Sequence, residues 1–206
     1  MKKKFLNLYG GIGGNVKLLD RNEFNITTVE LDENIASVYR DMFPNDTLII
    51  GDAHQYLLEN FDKFDFIWAS PPCPTHSKLR TLNENKVFPD MKLYEEIIFL
   101  KHWFKGKYVV ENVEPYYDYL IKATRVIHRH PVWCNFEISN KQFKNLKTCK
   151  IENEREFLEK EFGYDLSKYK GIDKRKVLRN CVVPELGKHI VGCAFGKNTI
   201  EEGYLF

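Results

Sequence analysis

Cys73 is the residue in this chain whose type and position most clearly suggest chemistry. It stands in the segment Pro71-Pro72-Cys73, after an apolar run, residues 64–69, that predicts a buried strand. The two prolines restrict the backbone of the loop, and ligands of open α/β sheets bind beyond the carboxyl ends of the strands. A thiol at that place could serve as a nucleophile. This segment alone leaves open the alternative that Cys73 is a small buried apolar side chain.

Glu111 is a second candidate for chemistry, because it follows residues 107–110, which predict another buried strand. A carboxyl group that leaves an apolar strand is costly to bury unless it has a partner or a task. One such task is to handle a proton for a reacting group. The alternative is an ion pair with a neighbouring lysine or with Arg129.

A glycine-rich turn, residues 10–14, and two acids stand at the ends of three further predicted strands. Glycines at the start of a helix let the backbone approach a ligand closely. Glu30 lies 16 to 20 residues after the glycines, a spacing at which an acid can accept ribose hydroxyl groups. Asp52 could accept a hydrogen bond from an adenine amino group, and Asp32 is expected to cap a helix. The glycine turn alone is a weak signal, but the three strand ends together predict a nucleoside cofactor.

The sequence pattern predicts strands and helices that would bring these residues together. Segments of β-branched and aromatic residues alternate with segments of helical period, which predicts right-handed βαβ units. We therefore expect a Rossmann-like α/β fold, with a mostly parallel sheet and helices on both faces. The predicted strands are 4–8, 25–31, 47–50, 64–69, 107–110, 124–127 and 132–138, and the predicted helices are 16–20, 35–42, 54–60, 91–104 and one that begins at Pro184 within residues 178–194.

Residues 140–176 differ from the rest of the chain, because they are polar, rich in lysine and only weakly periodic. They predict an insertion too small for a core of its own. We expect one domain at residues 1–138, the insertion at 139–177 and a return to the first domain at 178–206. The late basic residues suit either a phosphate-facing surface or a solvated face; they are Lys168, Lys170, Lys174, Arg175, Lys176 and Arg179.

The composition predicts a single globular α/β domain rather than a fibrous, membrane or secreted protein. The chain has 206 residues, of which 43% are hydrophobic and 29% charged, with a formal net charge of +2. It has no apolar run long enough to span a membrane and no signal-peptide core at its start. Its five widely spaced cysteines are typical of a reducing cytosol and do not have the spacing of a zinc site. We expect a cytoplasmic protein without a metal site.

Together, the motifs resemble those of the cytosine-5 DNA methyltransferase family, and the chain is similar in overall look to compact phage and prophage members. The resemblance spans Phe5 to Phe195 and leaves the insertion near 140–176 unmatched. The matching segments occur in the family's order: Leu8-Tyr9-Gly10-Gly11-Ile12-Gly13-Gly14, Glu30, Gly51-Asp52, Pro71-Pro72-Cys73 with Ser77, Glu111-Asn112-Val113, Arg129 and Asn180-Cys181-Val182.

The resemblance implies an enzyme that transfers a methyl group from S-adenosyl-L-methionine to C5 of a flipped cytosine in double-stranded DNA. It implies the fold of methyltransferases that use this cofactor, with residues 139–177 as a small target-recognition insertion. Cys73 would add to C6 of the base, Glu111 would hold the base and Arg129 would orient it. The residues implied for cofactor binding are Tyr9, Gly10, Gly11, Ile12, Gly13, Gly14, Glu30, Leu31, Asp52, Ala53, Pro72, Asn180 and Val182, and those implied for substrate binding are Ser77, Lys78, Arg80 and Asn112.

Two other functions remain open at this point. A tRNA cytosine-5 methyltransferase would use the same motif set, and a non-catalytic DNA-binding or regulatory subunit would bind without turnover. The presence of Cys73, Glu111 and Asp52 argues against a degraded site. A cognate restriction endonuclease, phage or host DNA and a partner subunit also remain open as partners.

Overall fold

The computed structural model describes residues 1–78, 87–127, 130–144 and 153–197, and one seven-stranded sheet forms its centre. The strands are β1 (Lys3–Leu8), β2 (Phe24–Glu30), β3 (Thr47–Ile50), β4 (Phe66–Ala69), β5 (Lys107–Glu111), β6 (Arg125–Ile127) and β7 (His130–Cys134). Their order is β3-β2-β1-β4-β5-β7-β6. Strands β1 to β5 are parallel, whereas β7 pairs antiparallel with both β5 and β6. The predicted mostly parallel sheet is confirmed.

Helices cover both faces of this sheet, as the sequence predicts. Successive strand residues point to opposite faces, so Phe5 packs in one core cluster with Ile190, while Leu6 packs in another with Leu57 and Ile97. The first face is covered by the first and sixth helices along the chain, and the second face by the second and third. The helices are α1 (Glu33–Met42), α2 (Ala53–Asn60), α3 (Lys92–Trp103), α4 (Glu154–Phe162), α5 (Lys174–Arg179) and α6 (Pro184–Ala194). The Rossmann-like fold is therefore confirmed.

The helix starts follow from local side-chain chemistry. Asp32 accepts hydrogen bonds from the backbone N–H groups of Asn34 and Ile35, so it caps α1 as predicted. Pro184 occupies the first turn of α6, where its missing N–H costs nothing. Asp52 caps α2 by accepting from the N–H of Gln55.

The predicted helix at residues 16–20 is wrong. Residues Gly14–Val16 form a single 3-10 turn, and the chain then runs directly toward β2. The space where a crossover helix would pack is taken by α6, which lies against this turn. Contact between them is so close that a Cβ atom at Gly187 would lie 2.3 Å from the backbone oxygen of Asn15.

The second strand of the predicted terminal pair also ends earlier than expected. β7 spans His130–Cys134 rather than residues 132–138. The side chain of Asn135 accepts from the N–H of Tyr108 and donates to the carbonyl of Gly106. This side chain therefore takes the hydrogen bonds that the next rung of backbone pairing would have used.

The described part of the insertion packs directly on the sheet domain. Leu158 and Val177 share a core cluster with Ile12 of the glycine turn and Val38 of α1. The hydroxyl of Tyr164 also donates to the carbonyl of Ile12. No helix among the described residues is long and apolar enough to cross a membrane.

Candidate active site

A cleft of about 840 Å³ opens at the carboxyl ends of the parallel strands, beside the reversal of strand order between β1 and β4. Ligands of open α/β sheets bind at this kind of place, and ligand pockets have volumes of roughly 300–1,000 Å³. The sequence-predicted site residues that line it are Tyr9, Gly10, Gly11, Ile12, Gly14, Glu30, Leu31, Asp52, Ala53, Pro72, Cys73, Glu111, Asn112, Asn180 and Val182.

Three of the predicted residues do not line this cleft. Gly13 turns toward α1, where an added Cβ atom would strike the ring of Tyr39. Ser77 forms a backbone bridge with Pro115. Lys78 forms an exposed ion pair with Glu114. The predicted Arg80 and Arg129 lie outside the described residues, as do all of residues 79–86 in the loop that follows Cys73.

The turn after β1 contains glycines because its backbone adopts a conformation that favours glycine. Gly11 has φ of +54°, and an added Cβ atom there would meet nothing within 4 Å. Open space above this residue leaves room for a ligand. An added Cβ atom at Gly14 would lie 2.2 Å from the backbone oxygen of Val182. The late segment 180–182 therefore closes one side of the turn.

A buried acid that the sequence reasoning missed lies behind this turn. Glu96 of α3 is fully buried, accepts a hydrogen bond from the hydroxyl of Tyr9 and lies 3.0 Å from Nδ1 of His54. The hydrogen bond to Glu96 raises the pKa of His54, whereas burial acts in the opposite direction. Its position within the apolar stripe of α3, between Leu93 and Ile97, is the sequence signal that could have identified it.

Glu30 and Asp52 both bind backbone N–H groups at the cleft edge. Glu30 accepts from Gly11 at 2.8 Å and from Asp32 at 3.0 Å. Asp52 accepts from Gln55, and this bond lowers the pKa of its carboxyl group. Among the described residues, no group of three or more histidine, cysteine, aspartate or glutamate side chains could hold a metal ion.

The loop that carries Cys73 is fixed by hydrogen bonds to its backbone. The carbonyl of Cys73 accepts from the N–H groups of His76 and Ser77, and the carbonyl of Pro71 accepts from the side chain of Asn112. Burial, followed by the nearby charge of Glu111, raises the pKa of the Cys73 thiol, and the charge of Lys176 acts against this rise. The thiol is therefore partly buried in the cleft and senses both charges.

Glu111 is held by two side chains from different strands. It is buried, with 7% of its surface exposed. Its Oε2 accepts from the hydroxyl of Ser70 at 2.9 Å, and its Oε1 lies 2.6 Å from Nδ1 of His130. Ser70 follows β4 and His130 begins β7, so the neighbouring strands of the sheet fix the carboxyl group. Of the alternative partners, a lysine is not among those that the described residues show, and Arg129 lies outside the described residues.

Two neighbours of Glu111 have roles that the sequence reasoning did not predict. Asn112 lines the cleft, but it binds backbone: its side chain donates to Pro71 and accepts from the N–H of Val113. It therefore joins the Cys73 loop to β5 rather than offering free polar atoms. His130 lines the cleft and contacts Glu111 directly. Its place at the start of a strand that pairs with β5 could have indicated this contact.

Three of the six late basic residues are engaged in ion pairs within the chain. Lys168 pairs with Asp41, and both Arg175 and Arg179 pair with the buried carboxyl group of Glu154. Lys176 instead lines the cleft that contains Cys73. This cluster therefore contributes a cation to the site, while Lys168, Arg175 and Arg179 are engaged in ion pairs within the protein.

Comparison with protein families gives one clear match. A family model described as C-5 cytosine-specific DNA methylase matches residues 3–119, which is more than half of the chain. These residues carry the glycine turn, Cys73 and Glu111. A search of curated proteins finds no match.

Comparison with solved structures gives weak superpositions. A mutant of DNMT2 from Spodoptera frugiperda is 25% identical with a TM-score of 0.40, over 54% of this chain and 36% of that one. A protein from Pyrococcus horikoshii is 22% identical with a TM-score of 0.40, over 55% and 50%. A putative DNA modification methyltransferase from an Escherichia coli prophage is 20% identical with a TM-score of 0.40, over 57% and 34%. The chain spans half or less of the length of each, so these superpositions carry no functional argument.

Proposed function

The chain belongs to the C-5 cytosine-specific DNA methylase family, and from this premise we propose that it methylates C5 of cytosine in double-stranded DNA. One observation carries the proposal: a thiol and a buried carboxyl group, Cys73 and Glu111, line one cleft with the glycine turn. Such a pair provides a nucleophile and a proton-handling group at the place where an α/β sheet binds its ligands.

The cleft fits S-adenosyl-L-methionine, the cofactor of this family, which supplies an electrophilic methyl group when bound. Gly11 has open space above it and an N–H group fixed by Glu30. Leu31, at the end of β2, is 70% exposed and lines the cleft, so it offers an apolar surface to a flat base. Glu30 would hold the ribose, and Asp52, with Ala53 beside it, would hold the adenine. The remaining cofactor contacts proposed from the sequence include Pro72, Asn180 and Val182.

Cys73 is the proposed nucleophile. Cytosine C5 does not attack a methyl group unaided, whereas addition of a thiolate to C6 gives C5 the character of an enamine. In the free protein, burial and the charge of Glu111 raise the pKa of this thiol. When a base binds Glu111, a proton shared between the carboxylate and N3 offsets the carboxylate charge whichever atom carries it, so the thiolate is favoured when the substrate is in place. The cytosine has to leave the duplex to reach a thiol within a cleft.

Glu111 is the proposed partner of the cytosine ring. Its carboxyl group would bind N3 and the exocyclic amine, and would supply the proton that offsets the charge developing on the ring. Ser70 and His130 fix the two oxygen atoms, so the carboxyl group is oriented before the base arrives. Arg129, from the sequence, is proposed to orient the base.

Residues 139–177 are proposed to recognise the target, as a small insertion between a catalytic domain at 1–138 and its return at 178–206. Lys176, at the end of this insertion, lines the cleft and could contact a phosphate near the flipped base. Ser77, Lys78 and Arg80 are proposed to contact DNA from the loop that follows Cys73.

The proposal is tested by incubating the purified protein and S-adenosyl-L-methionine with duplex DNA and mapping 5-methylcytosine at single-base resolution. Methylation within one short motif, lost in Cys73→Ser, is the expected result. A duplex with 5-fluorocytosine in that motif should be captured covalently, because the fluorine cannot leave as a proton does. Methylation of tRNA alone would move the substrate to RNA. Cofactor binding without turnover on either nucleic acid would indicate a non-catalytic subunit.

A further inference from the structure

Four side chains form a hydrogen-bonded chain that ends at His130. Nε1 of Trp68 donates to Oγ of Ser70 at 2.9 Å, and Ser70 donates to Oε2 of Glu111 at 2.9 Å. Oε1 of Glu111 then lies 2.6 Å from Nδ1 of His130. Glu111 is buried, while the side chain of His130 is 24% exposed and lines the cleft. This series of hydrogen bonds therefore connects an indole donor within the core to an imidazole at the cleft wall.

The direction of the first two bonds is fixed by chemistry. An indole N–H can only donate, so Oγ of Ser70 accepts from Trp68, and its own hydrogen is left to point at Glu111. Ser70 therefore orients the carboxyl group, but it has no hydrogen to spare for proton transfer. The contact with His130 differs, because imidazole nitrogen and carboxyl oxygen can each carry the hydrogen.

From this arrangement we infer that His130 is a positioning and proton-exchange residue that supplies Glu111 with the proton it gives to cytosine and takes it back. The inference rests on the proposed function. Both placements of the hydrogen, Nδ1–H with a carboxylate or a carboxyl O–H with Nδ1, keep the short contact favourable. Transfer of the proton between the two atoms therefore needs no movement of either side chain.

The proton transfer balances in both directions. As the Cys73 thiolate adds to C6, the Nδ1–H bond of a His130 imidazolium breaks, the electron pair stays on Nδ1 and the carboxylate of Glu111 gains that proton, which leaves a neutral imidazole with its hydrogen on Nε2. Glu111 passes a proton to N3 of the base, whose lone pair forms the new N–H bond. When the thiolate leaves C6, the N3–H bond breaks and the proton returns through Glu111 to His130.

The charged groups around this pair lie on several elements. Glu111 on β5 is the charged group in direct contact with His130 among the described residues. Cys73 lines the same cleft from the loop after β4, and Lys176 and Arg179 line it from α5. Because a thiolate and a carboxylate share this space, an imidazolium between the strands would offset their negative charge.

The test compares His130→Asn with His130→Ala under conditions in which the unsubstituted protein methylates duplex DNA. Asparagine places an N–H donor near the position of Nδ1 but cannot exchange a proton, so it keeps the hydrogen bond alone. We expect His130→Asn to lower kcat by roughly 10²-fold, the lower end of general acid–base effects, with KM for DNA unchanged. We expect added imidazole to restore turnover in His130→Ala. His102→Asn, at an exposed position on α3, is the matched control and should retain full activity.

Full activity in His130→Asn would overturn proton exchange, because a hydrogen bond alone would then suffice. Failure of imidazole to rescue a folded His130→Ala would overturn it too. If the variants unfold, nitrogen-15 spectra of the unsubstituted protein decide: the His130 signal should show that Nδ1 loses its hydrogen in the covalent complex with 5-fluorocytosine DNA. An unchanged signal contradicts the inference. An unsubstituted protein that neither methylates nor is captured would instead overturn the proposed function itself, and this inference with it.

Discussion

The two ends of the cleft hold their acids by different means. At the end formed by β1, β2 and β3, Glu30 and Asp52 bind the backbone N–H groups of Gly11 and Gln55. At the end formed by β4, β5 and β7, Glu111 binds the side chains of Ser70 and His130. Backbone donors are supplied by the course of the chain, so no substitution other than proline removes them. Side-chain donors can be removed one at a time and can exchange protons. The first end is suited to holding a ligand and the second to carrying out chemistry.

The largest expected effect is at the chemical end. Cys73→Ala should lower turnover on duplex DNA by several orders of magnitude, because it removes the proposed covalent catalyst. Binding of S-adenosyl-L-methionine, measured by calorimetry, should be unchanged, because the backbone-held acids remain. Residual turnover within about tenfold of the parent would contradict the assignment of Cys73.

Glu111→Gln should be the next most damaging change. Glutamine keeps the shape and the contacts with Ser70 and His130 but cannot give up a proton, so kcat should fall by roughly 10²–10⁴-fold. Single-turnover kinetics with saturating DNA and cofactor measure this. Glu114→Gln, near the same strand end but outside the cleft lining, is the control. Unimpaired turnover in Glu111→Gln would remove the proton-handling role.

Glu30→Ala should affect cofactor binding rather than the chemical step. It removes a carboxylate that fixes Gly11 and that would accept the ribose hydroxyl groups. Charged hydrogen bonds contribute about 1.5–3 kcal/mol, so Kd for S-adenosyl-L-methionine should rise by roughly 10- to 100-fold, with little change in kcat at saturation. Glu33→Ala, an exposed acid in the first turn of α1, should leave Kd unchanged. If Glu30→Ala lowered kcat without raising Kd, the division between a ligand-binding end and a chemical end of the cleft would be contradicted.

The charges of Glu111 and Lys176 should change the alkylation rate of Cys73 in opposite directions. Burial and Glu111 raise the pKa of this thiol, and Lys176 lowers it. Alkylation of Cys73 at fixed pH, followed by mass spectrometry of its peptide, should be faster in Glu111→Gln and slower in Lys176→Gln. Equal rates in both variants would show that burial alone sets the reactivity.

The smallest expected effect is on stability at the cofactor end. Asp52→Ala removes the cap of α2 and should lower the free energy of unfolding by about 1 kcal/mol, whereas Asp52→Asn should preserve it. The bond from Gln55 lowers the pKa of Asp52. Its stabilisation is therefore complete above the ordinary carboxyl pKa and is lost as pH falls through the lowered value. Urea unfolding across acidic pH should show a flatter profile for Asp52→Asn.

The sequence alone predicted the parts of the molecule that local pattern controls. Apolar runs marked β1 to β5, and β3 has the predicted bounds. Asp32 and Pro184 marked helix starts because caps act on the nearest backbone groups. The strand assignments also predicted that Cys73 and Glu111 lie at the same edge of the sheet, because the carboxyl ends of parallel strands meet there.

What the sequence could not predict depends on contacts between distant residues. Residues 16–20 have a helical pattern, but α6 fills the space that such a helix would need. His130 and Glu96 act through partners 19 and 87 residues away. A single polar residue has no periodic pattern, so only the fold reveals what it contacts. The same applies to Gly13, whose spacing suits a ligand turn but whose position lies against Tyr39.

The packing of α6 against the glycine turn also orders the events of synthesis. A ribosome releases β1 and the turn early, and residues 184–194 follow only after strands β1 to β7 have emerged. Until then, the face of the sheet that carries Phe5, Phe66 and Trp68 lacks the part of its cover that α6 provides. The cofactor end of the cleft is therefore begun by β1 and its turn and completed only when α6 packs against that turn, so a nascent chain cannot hold its ligand before α6 has docked.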